Sequence, residues 1–243
     1  MKIIKLDAID STNDFLKLLA DQEAVESFTV VTAQHQNRGR GQMGAKWHSE
    51  KGKNLTMSLL LKDVLCSVDT IYILNIIVAM SITAVLEDYN IPALSIKWPN
   101  DIMSENKKLG GILIENTFKN TGAIVSIVGI GLNVNQLNFD GLPKASSLAA
   151  IMSTEFNIEA LLIKIVKNIE CYTKELITTP SAELWSRYND KLFRKSIPTV
   201  FENRKGEKFM GIIKEVNQAG KLQVLLEDGS TASFEIKEIK MLY

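Results

Sequence analysis

The sequence predicts an α+β protein, a β-sheet with flanking helices followed by a small all-β barrel. Three observations carry that reading. Up to about residue 195, apolar runs of strand length are interleaved with helical segments. One such segment, Asn157–Leu176, sets Ile158, Leu161, Leu162, Ile165, Val166, Ile169, Tyr172 and Leu176 close to a 3.6-residue period, as a helix with one buried face requires. Beyond Ser196 the texture changes to short β-rich runs punctuated by Asn203–Gly206, Asn217–Gly220 and Asp228-Gly229, turn signals at the even spacing of a barrel of about fifty residues. The domain boundary is therefore expected near Ser196, dividing the chain into 1–195 and 196–243.

Taken in order, Lys2–Ile9 is rich in isoleucine and reads as a short strand. Ser11 then serves as the N-cap of a helix, with Asp14 at the third helical position in a capping-box-like arrangement. Phe15, Leu18 and Leu19 form the apolar face of that helix. Phe28–Ala33 reads as a buried strand, a long polar loop runs on to Lys53, and Asn54–Leu61 returns to strand character. Val68–Tyr89 reads as a largely buried helix, ended near Asn90 and Pro92. Leu94–Lys97 is a short strand leading into Trp98-Pro99-Asn100-Asp101, which carries turn chemistry. Ile102–Ser104 and Lys108–Asn116 flank the polar tip Glu105-Asn106-Lys107 as in a hairpin. Thr121–Ile130 is a strand left through Gly131–Asn135, and Ala182–Lys191 is a further helix. The barrel runs are Pro198–Glu202, Lys208–Val216, Lys221–Glu227 and Ser230–Ile236.

Bulk properties narrow the class. The 243 residues are 46% hydrophobic and 23% charged, ordinary for a soluble globular protein with a sizeable core. A formal net charge of zero argues against coating nucleic acid or an anionic membrane by bulk electrostatics, and leaves room for a local basic site. Cys66 and Cys171 stand far apart with no CxxC pair, and His35 and His48 are the only histidines. Neither a disulfide framework nor a cysteine- or histidine-based metal site is expected. The N-terminal MKIIKLDAIDSTND turns polar too soon for a signal peptide. Ile71–Leu86, interrupted by Asn75, Ser81 and Thr83, is short for a membrane span. A cytoplasmic enzyme or binding protein is the default.

The chemistry concentrates after the second strand. Gln36–Trp47 packs two arginines, one lysine and three glycines into twelve residues. Glycine lets backbone approach a ligand closely, and arginine presents a planar fork to phosphate or carboxylate oxygens. Taken alone, such a stretch is equally a solvated surface loop. Gly39-Arg40-Gly41-Gln42-Met43-Gly44 satisfies GxGxxG, and Asp63 lies some twenty residues on, in imitation of a dinucleotide fingerprint. The imitation fails on context, because Lys46–Lys53 is polar without apolar period and no helix opens at the third glycine. No GxxxxGK[ST] phosphate loop occurs.

Three further segments have both a bland and a chemical reading. Lys97–Asp101 is either a plain turn or a turn presenting Asp101 at a strand end, where a carboxylate could orient or deprotonate an amine or help hold a metal ion. Lys107–Glu115 is either a solvated lysine pair at a hairpin end or a lysine set against phosphate, with Gly110 and Gly111 leaving room for a ligand. Gly129–Asn135 is either a turn or a strand end from which Asn133 bonds a ligand or shapes a pocket.

In combination and in this order, these segments resemble the biotin–protein ligases (biotin–[acetyl-CoA-carboxylase] ligase). The matching residues are Asp10-Ser11-Thr12-Asn13, Gln36 with Arg38–Gly44 and Trp47, Lys97–Asp101, Lys108–Glu115 and Gly129–Asn135. Counting the C-terminal β module, the resemblance spans essentially the whole chain. It implies a mixed sheet with flanking helices of the class II synthetase-like kind, followed by an SH3-like barrel. It also implies a two-step reaction in which biotin and ATP, with Mg²⁺, give biotinyl-5′-AMP and pyrophosphate. The acyl group then passes to a lysine of a biotin carboxyl carrier protein domain.

By the same resemblance, Ser11, Thr12 and Asn13 would line the biotin pocket. Gln36, Gly39, Arg40, Gly41 and Gln42 would close over biotin and the acyl phosphate, with Arg40 offsetting charge. Trp47 would cover the adenylate, Lys108 would meet biotin's carboxylate and the α-phosphate beside Gly111, and Asp101 would orient or deprotonate the incoming amine. Asn133 completes the set, and no metal-binding residues are implied.

The chain departs from the family pattern at Gln42, where many members carry a second arginine, and at Met43 and Ala45, where further basic residues are usual. The catalytic motif begins almost at once, so a single-function ligase without operator binding is expected. Neither a nucleic-acid nor a membrane partner is expected, and a homodimer is left open. A lipoate- or octanoyl-protein ligase is the enzymatic rival, although its arginine-rich, triple-glycine signature is absent. A nucleic-acid-binding module held by Arg38, Arg40 and Lys46 is the rival of another class, and zero net charge weighs against it.

Overall fold

The computed structural model describes residues 1–22, 24–64, 71–119, 122–178 and 181–243. Strands β1 (Lys2–Ile9), β2 (Thr29–Gln36), β3 (Leu55–Lys62), β4 (Leu94–Lys97), β5 (Asp101–Ser104), β6 (Lys107–Phe118) and β7 (Ile124–Leu132) form one sheet in the order β1-β2-β3-β7-β6-β5-β4. β1 and β2 are parallel, joined by a crossover through helix α1 (Thr12–Gln22). All other neighbours are antiparallel, so the sheet is mixed as the resemblance implied.

Helix α2 (Ile71–Asp88) has no polar face, and it is buried from Ile73 to Leu86 save for partly buried Ala84. Its length and composition would suit a membrane span, yet it packs against the sheet and helices α4 (Ile158–Thr178) and α5 (Ser181–Asp190). Its serine and threonine hydroxyls are satisfied within the helix, Ser81 Oγ donating to Ile77 O at 2.7 Å and Thr83 Oγ1 lying 3.1 Å from Ala79 O. A short helix that was not anticipated, α3 (Leu148–Met152), starts at Ser147, whose Oγ accepts from the Ala150 amide.

The C-terminal strands β8 (Pro198–Asn203), β9 (Lys208–Val216), β10 (Leu222–Leu226), β11 (Thr231–Phe234) and β12 (Ile239–Leu242) make an antiparallel sheet in the order β11-β10-β9-β8-β12. Four were expected; β12 is the fifth, and it closes against β8. One continuous apolar core runs from Val30 and Leu55 through α2 and α4 to Phe201, Ile213 and Val224 of this second sheet.

Three boundaries differ from expectation in ways that matter for function. β2 runs on past Ala33 to Gln36, which carries that side chain to the edge of the site. β7 runs on past Ile130 to Leu132, so Gly131 lies inside it with Gly129 instead of leaving it. Leu109 is an extra residue on β6, because Ile102 pairs with Gly110 and Met103 with Lys108. The expected helix start at Val68–Thr70, the expected strand start at Thr121 and Cys66 lie outside the described residues.

Candidate active site

A cavity of about 230 Å³ opens where the α1 N-terminus, β3, β6 and β7 meet. Its floor is polar and buried. Ser11 caps α1, its Oγ accepting from the Asp14 amide at 3.3 Å, so the next two side chains are fixed at the start of a helix. Thr12 donates from its amide and its hydroxyl to Gln36 Oε1 at 2.7 and 3.0 Å. Ser58, wholly buried on β3, brings its Oγ within 2.7 Å of Thr12 Oγ1 and 2.5 Å of Asn13 Oδ1. Asn13 Nδ2 donates to Glu115 Oε2 at 2.8 Å. Each of these groups is held by another, as buried polar atoms require.

The glycines of β7 make this packing fit. A Cβ at Gly129 would strike Asn13, and one at Gly131 would strike the Trp47 indole. Two glycines spaced by two residues thus leave one face of β7 flat.

On the far side stands a lysine–carboxylate cluster. The extra residue on β6 re-aims the strand at Lys108, whose Nζ lies 2.6 Å from Asp101 Oδ1. Lys97 Nζ approaches Asp101 Oδ2 at 3.5 Å. Gly111 lies beside the pair, where a Cβ would stand in ordinary contact with Lys108 Nζ at 3.4 Å and Asp101 Oδ1 at 3.7 Å. Asn100 holds the turn to the sheet, donating from Nδ2 to Ile112 O at 2.6 Å while its own carbonyl accepts from the Ile112 amide.

The Gln36–Trp47 loop closes the third side. A short 3-10 turn over Gln42–Gly44 stands where a dinucleotide fold would open a helix, with Met43 at φ 53°. Bonds from the Trp47 amide to Gly39 O and from the Gly41 amide to Ala45 O shape the loop. Arg40 does not reach across the cavity; its Nη2 pairs with Asp14 Oδ1 at 2.5 Å and Glu115 Oε2 at 2.9 Å. Lys46 also lines the cavity and has no ion pair among the described residues. Lys237 of the C-terminal sheet donates to Met43 O at 2.7 Å.

A second cavity of about 530 Å³ lies between the 98–101 turn and the C-terminal sheet. It shares Gln42, Asn100 and Asp101 with the first. Tyr243 lines it, its phenol pushed up by burial and then by the charge of Asp101.

Ser11, Thr12, Asn13, Gln36, Arg40, Gly41, Gln42, Trp47, Asp101, Lys108 and Gly111 all line the first cavity. Gly39 does not; it is the spot over which Gln36 and Trp47 close, and a Cβ there would strike both. Asn133 does not either. It is turned away, donating from Nδ2 to Ser146 O at 2.9 Å and so tying down the segment before α3. Ser58 and Glu115 were missed as working parts, though a lone serine in the apolar run LTMSLLL was a usable signal. Among the described residues no three His, Cys, Asp or Glu cluster to hold a metal ion.

A model of the biotin/lipoate A/B protein ligase family matches residues 6–135. The bifunctional ligase/repressor BirA of Bacillus spizizenii is 32% identical over 194 residues, covering 76% of this chain and 59% of that protein. The biotin–[acetyl-CoA-carboxylase] ligase of Mycobacterium tuberculosis is 24% identical over 87% of this chain and 79% of its own. Among solved structures, the biotin protein ligase of Aquifex aeolicus in complex with biotin and ATP superposes with a TM-score of 0.80, at 25% identity, over 99% of this chain and 98% of that one. The chain thus spans about 59% of the length of the BirA relatives from Bacillus. With the family model covering just over half of its residues, including the cavity floor, the loop and the Lys108–Asp101 pair, the chain belongs to the biotin/lipoate A/B protein ligase family.

Proposed function

We propose that the chain is an ATP-dependent biotin–protein ligase, which forms biotinyl-5′-AMP and passes biotin to a lysine of a biotin carboxyl carrier domain in the cytoplasm. The observation that carries this reading is the Lys108–Asp101 pair, 2.6 Å apart where a polar-floored pocket meets a second cavity. The likeness to a ligase holding biotin and ATP supports it.

In the first step a carboxylate oxygen of biotin attacks the α-phosphorus of ATP, the bond to the bridging oxygen breaks, and pyrophosphate leaves. Lys108 would meet the carboxylate and the α-phosphate, with Arg40 and Lys46 offsetting the charge nearby. Mg²⁺ would come in on the phosphates and neutralise their charge. An ion bound mainly by phosphate and water needs few protein ligands. In the second step the carrier lysine's amine attacks the acyl carbon, the acyl–phosphate C–O bond breaks, and AMP leaves. Asp101 would orient that amine and receive its surplus proton. Trp47 and the loop would keep the anhydride from water.

A floor of Ser11, Thr12 and Asn13, with Ser58 holding the last two from behind, suits a ureido ring, which both donates and accepts, better than the apolar chain of lipoate or octanoate. The test is pyrophosphate release with ATP, Mg²⁺ and either biotin or lipoate. Release with biotin alone supports the reading, and release with lipoate alone replaces it by the other branch of the family.

A further inference from the structure

Asp101 follows a turn that is gripped from below. Tyr72 OH reaches Pro99 O at 3.4 Å, and Asn75 Nδ2 donates to the same carbonyl at 2.7 Å, both from α2. Tyr72 OH and Tyr188 OH stand 3.1 Å apart, and burial pushes both phenols up, so they remain protonated donors. Trp185 stacks on the Tyr72 ring with centroids 5.7 Å apart.

The grip includes the C-terminal sheet. Trp98 Nε1 donates to Gly220 O at 2.9 Å. Gly220, at φ 78°, rests on Tyr72 so closely that a Cβ would lie 2.4 Å from a carbon of the ring. The turn that carries it is anchored by Asn189, whose side chain bonds both the N–H and the C=O of Val216 at the end of β9. A continuous packed path therefore runs from α5 through the β9–β10 turn to Trp98, Pro99 and Asp101. The backbone of Lys108 is held separately, bonded to Lys144 and Ser146, while its side chain meets Asp101.

We propose that Gly220 of the β9–β10 turn, with Trp98 and Tyr72 against it, positions Asp101 for acyl transfer, so that the C-terminal sheet serves the second half-reaction more than the first. This rests on the role given to Asp101 above. Catalytic groups displaced by as little as about 1 Å lose rate steeply, whereas biotin's own pocket lies on elements outside this path.

Two variants test it, Trp98→Phe, which removes one donor, and Gly220→Ala, which drives a methyl group into Tyr72. Adenylation is followed by pyrophosphate release, and transfer by a single turnover from preformed adenylate to the carrier domain of an acetyl-CoA carboxylase. The expected result is transfer slowed about 10-fold or more with adenylation within about twofold of the parent. Equal loss in both halves, or unchanged transfer in a well-folded Trp98→Phe, overturns the inference while leaving the ligase reading intact. A parent chain that releases no pyrophosphate with biotin overturns that reading, and this inference falls with it.

Discussion

The floor of the site and its rim are built on opposite plans. On the floor, Ser11, Thr12 and Asn13 are at most 4% exposed at a helix start, and Ser58 of a central strand, buried behind them, is bonded to Thr12 and Asn13. At the rim, Arg40, Gln42, Lys46 and Lys108 sit on a loop and a strand end open to solvent, joined by a handful of ion pairs and backbone bonds. A buried, fully paired network recognises by shape and hydrogen bonding, because any mismatch leaves a polar group without a partner. Partly exposed cations act on charge, and their contribution to folding is small. On the function proposed above, selection of the acyl group would belong to the floor, and the chemistry on phosphate and amine to the rim.

Substitutions that separate these plans should have unlike signatures. The largest effect is expected for Lys108→Ala, which removes the cation facing the reacting oxygens. Adenylation, read as pyrophosphate release, should fall by about 10²- to 10³-fold, with the thermal midpoint little changed. Full activity in a protein that merely melts earlier would make Lys108 a structural residue. Next comes Asp101→Asn, for which transfer to the carrier domain should slow by about 10²-fold and adenylation by much less. Equal loss in both halves would point to a metal or scaffold role.

Asn13→Ala strikes the floor and should look different in kind. It removes Asn13 from Ser58, which keeps Thr12 Oγ1, and from Glu115, which keeps Arg40, at a cost of about 1–3 kcal/mol in stability. Biotin binding by calorimetry should weaken about 10-fold, with a smaller change in the rate at saturating biotin. A rate defect with unchanged affinity would erase the distinction between floor and rim. The smallest effect is expected for Lys237→Ala, which frees the Met43 carbonyl at the exposed tip of the loop. Less than about a twofold change in either half-reaction is expected. A larger loss would show that the C-terminal sheet also sets the loop.

How much of this was legible beforehand follows the same division. Long periodic elements such as α4 were plain, since burial of one face writes a period into the sequence. β12 and α3 were not, because four or five residues are too few to show a period. Gly129 and Gly131 read as a strand end or a turn, with the strand stopping at Ile130, since glycine weakens a strand. Their use appears only when Asn13 and Trp47 are laid against them. Asn133 misled in the opposite direction, as an amide after a glycine-rich strand end that serves the backbone. The rim residues were found through their motif, yet nothing in the motif showed that Arg40 would pair with Asp14 and Glu115.

One measurement bears on the whole arrangement most directly, a crystal structure of the protein with biotin. We expect the ureido ring on the floor within hydrogen-bond distance of Ser11, Thr12 or Asn13, and the carboxylate at Lys108 Nζ. Biotin lying the other way round, or outside the pocket between α1 and β6, would contradict the assignment of recognition to the floor and chemistry to the rim.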